Sequence, residues 1–459
     1  IGSDTIKVID LEIRRERLRQ RELQTKTRIA NIQARGGEVP EKLWEELAGR
    51  TSKGKDGVID AGSKEDHPRI DIERERKMTK HLIRKQDKLL FVCFHILLNL
   101  AEDVTIEKKM VKKSISGYLT AALGRSSAEL LILTVTFLKK LSIFQTGTLS
   151  MIDKGIVPRL VTFIPCSNAR LMKLTLRLLW NLSFNGPLRE QMMTAGLIPK
   201  LVKLLEHKEF RSVAIKMLYH MSKDDESKSK IAFSGAIPWV MQLIMKWPAG
   251  KIVEELGALA VNLSHSSAGC DFMCQDGGLK ILLQRSARHR DAVLMKVVRN
   301  ISHWTYNKVQ PEDEENGGGG SGGGNGGDSS GAGSKSSGGG DAGGKEGDSS
   351  PRSSSRARAS SRRRGRNRGS PDRSVWQPFV HDLFKLCLSC ASEDEDMFVE
   401  VLGVIGNLTR NDLPDGTTFS DLIDTYELVE FLSRHLVPGM SQDDVVLNII
   451  IIEIGRAHV

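Results

Sequence analysis

Six polar side chains recur along this sequence at nearly equal intervals, Asn99, Lys140, Asn181, His220, Asn262 and Asn300, and a seventh, Asn407, follows in a matching pattern further on. An Asn amide carries both donors and an acceptor, so a row of them can pair with the N–H and C=O groups of an extended peptide. One helical turn earlier, on the same helix face, stand His95, Thr136, Arg177, Lys216, Ala258, Lys296 and Gly403. Arg177, Lys216 and Lys296, with Lys140 and with Arg299 beside Asn300, make an interrupted basic stripe. Such a stripe steers acidic groups in and turns basic competitors away. The chemistry on offer is non-covalent recognition of an extended acidic protein segment. A plainer role competes with it: the Asn side chains could serve only to hydrogen-bond neighbouring helix ends, and the cations to hydrate a surface.

Covalent and metal chemistry have less support. Cys270-x-x-x-Cys274 and Cys387-x-x-Cys390 could together supply four thiolates. They lie far apart in the chain, in helical apolar patterns such as "HDLFKLCLSCA", and read as core. The Gly-rich tract has no strand before it and no Gly-Lys-Ser/Thr after it, so it is not a phosphate loop. No spacing singles out a Ser–His–Asp set. Trp180, Trp239 and Trp247 fall at apolar helical positions and read as packing residues. The chain is therefore expected to be non-catalytic, with no cofactor and no metal.

The same intervals define what must carry the polar row. A short pattern surrounds each member: Leu98-Asn99-Leu100-Ala101, Lys139-Lys140-Leu141-Ser142, Trp180-Asn181-Leu182-Ser183, Tyr219-His220-Met221-Ser222, Val261-Asn262-Leu263-Ser264 and Arg299-Asn300-Ile301-Ser302. The steps are 41, 41, 39, 42 and 38 residues. A second anchor runs in phase, as Gly155-Ile156-Val157-Pro158, Gly196-Leu197-Ile198-Pro199 and Gly235-Ala236-Ile237-Pro238, then Gly277-Gly278-Leu279-Lys280 without the Pro. Gly ends one helix in a left-handed conformation and Pro opens the next in its first turn. A period near forty residues matches armadillo or HEAT repeats, and the Gly-x-Ile-Pro entry favours armadillo. The predicted fold is all-α: an armadillo-type superhelix whose stacked units bury apolar faces that no single unit can bury.

Composition agrees. Apolar residues make up 39% and aromatics 5%, a mix suited to stacked helices rather than to a sandwich or barrel. The net charge of +10 points to acidic partners. Six Cys, four of them in two close pairs and without the dense spacing of a disulfide scaffold, suggest a reducing, intracellular setting, and no signal peptide is read at the start. The longest apolar stretch, Leu89 to Ala101, is too short to span a bilayer, so no membrane insertion is expected. Residues 1–35 read as a charged helix, solvated or partner-facing rather than core, and 36–70 as a linker. Repeats occupy 71–310. Residues 311–374 turn acidic, then Gly/Ser-rich, then Arg/Ser-rich, and are expected to be a disordered insertion. Repeats resume over 375–452 with Gly406-Asn407-Leu408-Thr409. Asn300 and Asn407 are 107 residues apart; without the 64 biased residues the interval is 43, one repeat, so the insertion falls in a loop of one solenoid. The closing "EIGRAHV" (453–459) is what a sequencing-adapter string encodes. It is expected to be read-through from a truncated transcript, outside the fold.

Several runs resemble the kinesin-associated protein family, the armadillo accessory subunits of heterotrimeric kinesin-II: "LLNLAED" (97–103), "ELLILTVTFLKKLSIF" (129–144), "LRLLWNLSF" (176–184), "GLIPKLVKLL" (196–205), "LYHMSKDD" (218–225), "LMKVVRNIS" (294–302) and "GNLT" (406–409). The resemblance spans roughly 70–310 and 375–450. It implies an adaptor that binds the paired motor subunits near their stalk or tail and links them to cargo, including intraflagellar transport proteins. It further implies a place in the cytoplasm, on the cytoskeleton and in the cilium. A competing reading is an armadillo-type nuclear-import receptor or other peptide-binding adaptor. Import receptors resemble a ladder of Trp and Asn four residues apart, and no Trp stands at those positions here. Nucleic acid is the less favoured partner: the insertion holds eleven cations against nine anions, so most of the basicity lies in the repeats, without interleaved base-stacking aromatics.

Overall fold

Each repeat is punctuated by a backbone turn that few residues accept. Gly155, Gly196, Gly235 and Gly277 have φ of 58°, 73°, 81° and 75°, the left-handed region that costs an L side chain about 1–2 kcal/mol. Ser114 (φ 58°) and Glu427 (φ 49°) make the same turn without glycine. Helix starts are closed by short polar side chains: Ser127 accepts from the Leu130 N–H, Asn168 from Leu171, Asn185 from Leu188 and Asp394 from Met397.

The computed structural model describes residues 2–51, 70–307, 373–409, 418–436 and 443–457. Apart from Arg373 and Ser374 the insertion, with its expected disorder, lies outside the described residues. Helices α1 (Gly2–Ala34) and α2 (Glu41–Thr51) precede α3 (Ile72–Leu100). Three-helix units follow: α4 (Val104–Lys112), α5 (Ile115–Ala122) and α6 (Ala128–Leu141); α7 (Gln145–Ile152), α8 (Ile156–Val161) and α9 (Ala169–Leu182). Next come α10 (Gly186–Thr194), α11 (Leu197–Leu204) and α12 (Lys208–Met221); α13 (Asp225–Phe233), α14 (Ala236–Met245) and α15 (Glu254–Ser264); α16 (Ser267–Cys274), α17 (Gly278–His289) and α18 (Ala292–Asn307). Beyond the insertion lie α19 (Val380–Cys390) and α20 (Glu395–Leu408), then α21 (Phe419–Thr425), α22 (Leu428–Ser433) and α23 (Asp443–Ala457). Every element among the described residues is helical, and one apolar core runs from Ile6 to Ile452.

The third helices α3, α6, α9, α12, α15, α18 and α20 each pack on the next. The phase survives the insertion: α20 takes the place after α18, and a Cβ at Gly403 would collide with the Arg299 guanidinium. That close approach is why the ladder's upstream position holds glycine there.

Two sequence expectations change. Helix α1 is not a free charged helix: it lies antiparallel on α3, with Ile6, Ile9, Ile13 and Ile29 buried. Its apolar positions are sparse because part of the contact is polar. The Arg125 guanidinium, buried between the helices, pairs with Glu16 and with Asp87 (3.0 Å), while Gln86 Nε2 donates to Glu12 Oε2 (2.6 Å). Inside the expected linker, Pro40 introduces α2, whose Leu47 is buried. At the other end α23 spans Asp443–Ala457 and takes in the first residues of the 453–459 segment.

Candidate functional site

The in-phase Asn residues reach backward across each repeat boundary. Asn181 Nδ2 donates to Ser142 Oγ at 3.0 Å, Asn262 to Ser222 Oγ at 2.9 Å, Asn300 to Ser264 Oγ at 2.9 Å and Asn407 to Ser302 Oγ at 3.0 Å. Ser142 and Ser222 cap the preceding third helix, Ser264 is the last residue of α15 and Ser302 lies within α18; each donates its own proton three residues back. Ser142 donates to the Lys139 carbonyl, Ser222 to Tyr219 and Ser264 to Val261, each at 2.7 Å, and Ser302 donates to Arg299 at 2.8 Å. The plainer role is therefore real: the row is a relay that sets repeat against repeat. It does not exhaust the amide, which has a second N–H and a carbonyl oxygen. Among the described residues Asn181, Asn262 and Asn300 make no other side-chain hydrogen bond, and all three are only half-buried.

Other rungs depart from the pattern for visible reasons. The helix before Lys140 ends in Ala101, which offers no hydroxyl, so an amide there would have no relay partner; Lys140 is half-buried and its charge partly offsets the rise that burial gives the Glu107 carboxyl. Asn99 is exposed and its Nδ2 meets His95 Nδ1 at 3.3 Å. His220 was expected to face a partner and does not. It is 7% exposed, meets Ser183 Oγ through Nδ1 at 2.6 Å and packs its ring 4.3 Å from Phe184. Ser183 donates to the Trp180 carbonyl at 2.6 Å, so the relay's polarity puts the proton on Nδ1. Burial, then Lys223 and Arg189, hold its pKa below the ordinary histidine value. Asn407 is also withdrawn: α23 packs over α20, with Ile451 and Ile452 against Gly406, and Asn407 donates to both Ser302 Oγ and the Arg299 carbonyl (3.3 Å).

The basic stripe is shorter than its sequence suggests. Lys216 pairs with Glu255 at 2.9 Å and lies 5.6 Å above the Trp180 ring. The hydrogen bond from Lys216 pulls the Glu255 carboxyl below its usual range. Lys296 and Arg299 share one acid, the buried Glu400, at 3.6 and 3.4 Å. Glu255 and Glu400, which the sequence reading missed, stand seven residues before Asn262 and Asn407. The helical spacing that picked the cations would have found them two turns before the rungs. Asn448, 41 residues past Asn407, was missed as well; it accepts from Arg299 Nη2 at 3.4 Å. Arg177 remains: exposed, with no carboxylate in salt-bridge reach among the described residues.

The cysteines behave as core. Burial pushes the Cys274 thiol up to about 12 and Cys390 up to about 11, and raises Cys270 and Cys387. Cys270 Sγ donates to the Ser264 carbonyl at 3.0 Å. Among the described residues no group of three His, Cys, Asp or Glu is placed to hold a metal ion, and no helix is long and apolar enough to cross a membrane.

Stacked helical units, a hydrogen-bonded ladder of third helices and a half-open row of amides define an armadillo-type repeat protein. Two solved structures share this fold at low identity, and a third is similar over part of the chain. An engineered protein from the Northeast Structural Genomics Consortium aligns with a TM-score of 0.53 and 14% identity, covering 81% of this chain and 75% of its own. A chain from work on the phosphorylation switch controlling the interaction between cadherin and beta-catenin gives 0.50 and 14%, covering 80% and 58%. A designed armadillo repeat protein gives 0.40 and 16%, covering 47% and 94%. The family is more specific than the fold. The profile of the kinesin-associated proteins matches residues 1–311 and 365–458, and the chain belongs to that family.

Proposed function

We propose that this chain is the non-catalytic accessory subunit of a kinesin-II motor, binding the paired motor subunits near their stalk or tail and linking them to cargo. Intraflagellar transport proteins in the cilium are among the cargoes proposed. Family membership supports the motor as partner. The observation that carries the mode of binding is the set of unspent amide groups at Asn181, Asn262 and Asn300, one per repeat, beside the exposed Arg177. An extended motor segment would pair its backbone with these amides and set an acidic side chain on Arg177. At Lys216 a partner acid would have to compete with Glu255.

The test is titration calorimetry of the full chain with the tail halves of a kinesin-II motor pair, at low and at moderate salt. Salt-sensitive binding that Arg177→Glu weakens by roughly tenfold is expected. Unchanged affinity in that variant would remove the ladder from the motor contact. No binding by the folded wild type would remove the motor reading itself.

A further inference from the structure

Three places after the rungs stand Glu102, Ile143, Phe184, Lys223, His265 and His303, one per repeat and all exposed. Polar side chains fill this place at four of the six, so packing does not ask for an apolar one. Ile143 and Phe184, in adjacent repeats inside the stack, are nevertheless 69% and 65% exposed, the two most exposed large apolar side chains among the described residues. Phe144 adds to them. It is the N-cap of α7, where other units use Asp103, Asn185 and Ser266, whose side chains accept from first-turn N–H groups. Phe144 makes no such bond and is 36% exposed. A cap given up for an accessible aromatic ring is a local rule broken without a folding gain, as contact sites break them.

Asn181 joins the two apolar positions. It donates to Ser142, the residue before Ile143, and lies one turn before Phe184. The Phe184 ring lies 5.9 Å from Trp180 and 4.3 Å from His220, so it bridges α9 and α12. The surroundings are cationic. Lys139 and Lys140 precede Ile143 on α6, Arg177 lies one turn before Asn181, and Lys223 follows α12 with its ammonium 5.3 Å above the Tyr219 ring. None of these four has a carboxylate in salt-bridge reach among the described residues. The exposed carboxylates of α6 and α12, Glu129 and Glu209, stand at the opposite ends of those helices.

The geometry points to an extended, acidic partner segment carrying two bulky apolar side chains as the ligand of the α6–α9–α12 end of the ladder. Its backbone pairs with Asn181, one apolar side chain lies on Ile143 and Phe144 and the other on Phe184, and its carboxylates reach Lys139, Lys140, Arg177 and Lys223. The inference rests on the ladder being the binding face, and adds an apolar anchor that His265 and His303 do not offer at Asn262 and Asn300. Third helices pack about 8–10 Å apart and an extended chain rises ~3.3 Å per residue, so the two anchors are about two or three residues apart; a spacing of two keeps both on one face.

The test uses the full chain and a fluorescein-labelled peptide, Phe-Ser-Phe flanked by short Glu runs. One control peptide has both Phe replaced by Ala, the other every Glu by Gln. Fluorescence anisotropy at low salt should show the parent peptide bound at least about tenfold tighter than either control. Ile143→Ser with Lys223→Glu should weaken it by a similar factor; both side chains are exposed, so circular dichroism and the thermal midpoint should not move. Phe184→Ala should lose binding and Phe184→Leu, which keeps an apolar surface, should restore most of it. The same variants are then titrated with the motor tails. Tails that bind, weakened by Arg177→Glu but indifferent to Ile143→Ser and Phe184→Ala, overturn this inference and leave the ladder reading standing. Tails that do not bind, beside a peptide that behaves as stated, overturn the motor reading and leave the apolar anchor standing. Equal binding of the parent and the Ala peptide overturns the anchor. So does a dimer in sedimentation that Ile143→Ser abolishes, or wild-type capture by phosphatidylserine vesicles that the same variant loses.

Discussion

The relay can be broken at one joint. Ser222 is 1% exposed; its hydroxyl accepts from Asn262 at 2.9 Å and donates to the Tyr219 carbonyl at 2.7 Å. Ser222→Ala removes both bonds at about 0.5–1.5 kcal/mol net each, so a loss of about 1–3 kcal/mol is expected. Asn262→Ala removes one bond and leaves the serine its carbonyl, so about 0.5–1.5 kcal/mol is expected. The two changes share one bond. The double variant should therefore cost less than the sum of the singles by about 0.5–1.5 kcal/mol. Native-state hydrogen exchange on the amides of α12 and α15 reads the local loss directly, at about tenfold in exchange rate per 1.4 kcal/mol. Strictly additive single effects would refute the relay: the amide would then not brace neighbouring repeats, and the Asn row would belong wholly to a ligand.

Two further outcomes follow from buried charge. Arg125→Met should cost about 3–5 kcal/mol, because Asp87 would stay buried and Glu16 half-buried without their counter-ion, and limited proteolysis should then release α1. Burial already raises both carboxyls against the pull of Arg125, so in that variant stability should recover as pH falls and they protonate. At the fourth rung the folded-state pKa of His220 lies below its ordinary 6.5. Its stabilising contribution is thus complete above that value and is lost as pH falls through the folded-state pKa. His220→Asn, which installs the residue used at the other relay rungs, should keep its thermal midpoint in that window while the wild type declines. Parallel curves would show that His220 does not titrate against folding.

The repeats were plain in the sequence because their punctuation is chemical. A glycine at positive φ and a capping Ser or Asn leave few alternatives, and their period placed the third helices. What escaped shows where that reasoning ends. Ser114 and Glu427 take the left-handed turn with no residue preference to announce it. Helix α1 was read as solvated because its contact with α3 runs through Glu12, Glu16, Gln86 and Arg125, and polar burial carries no hydrophobic period. His220 matched its rung by position alone; its burial depends on Phe184, three residues past the preceding rung Asn181 and packed from the neighbouring repeat. Lys216, Lys296 and Arg299 looked like a free stripe because a cation's partner sits on the next repeat, about forty residues or one insertion away.

The placement of the insertion fits the same physics. The contact between α18 and α20 is made within the third helices, by Asn407 on Ser302, by Glu400 between Lys296 and Arg299, and by Gly403 under the Arg299 guanidinium. None of these groups lies in the connection between them. Register from one repeat to the next is set along the ladder, so a connecting segment can lengthen at only a slowly growing entropic cost, about 0.6 kcal/mol per doubling, while the ladder stays in phase. The amides that hold this register at Asn181, Asn262 and Asn300 are the ones with a donor and an acceptor left over. A partner bound to those spare groups would meet a row whose spacing the relay has already fixed, and would not have to order it on binding.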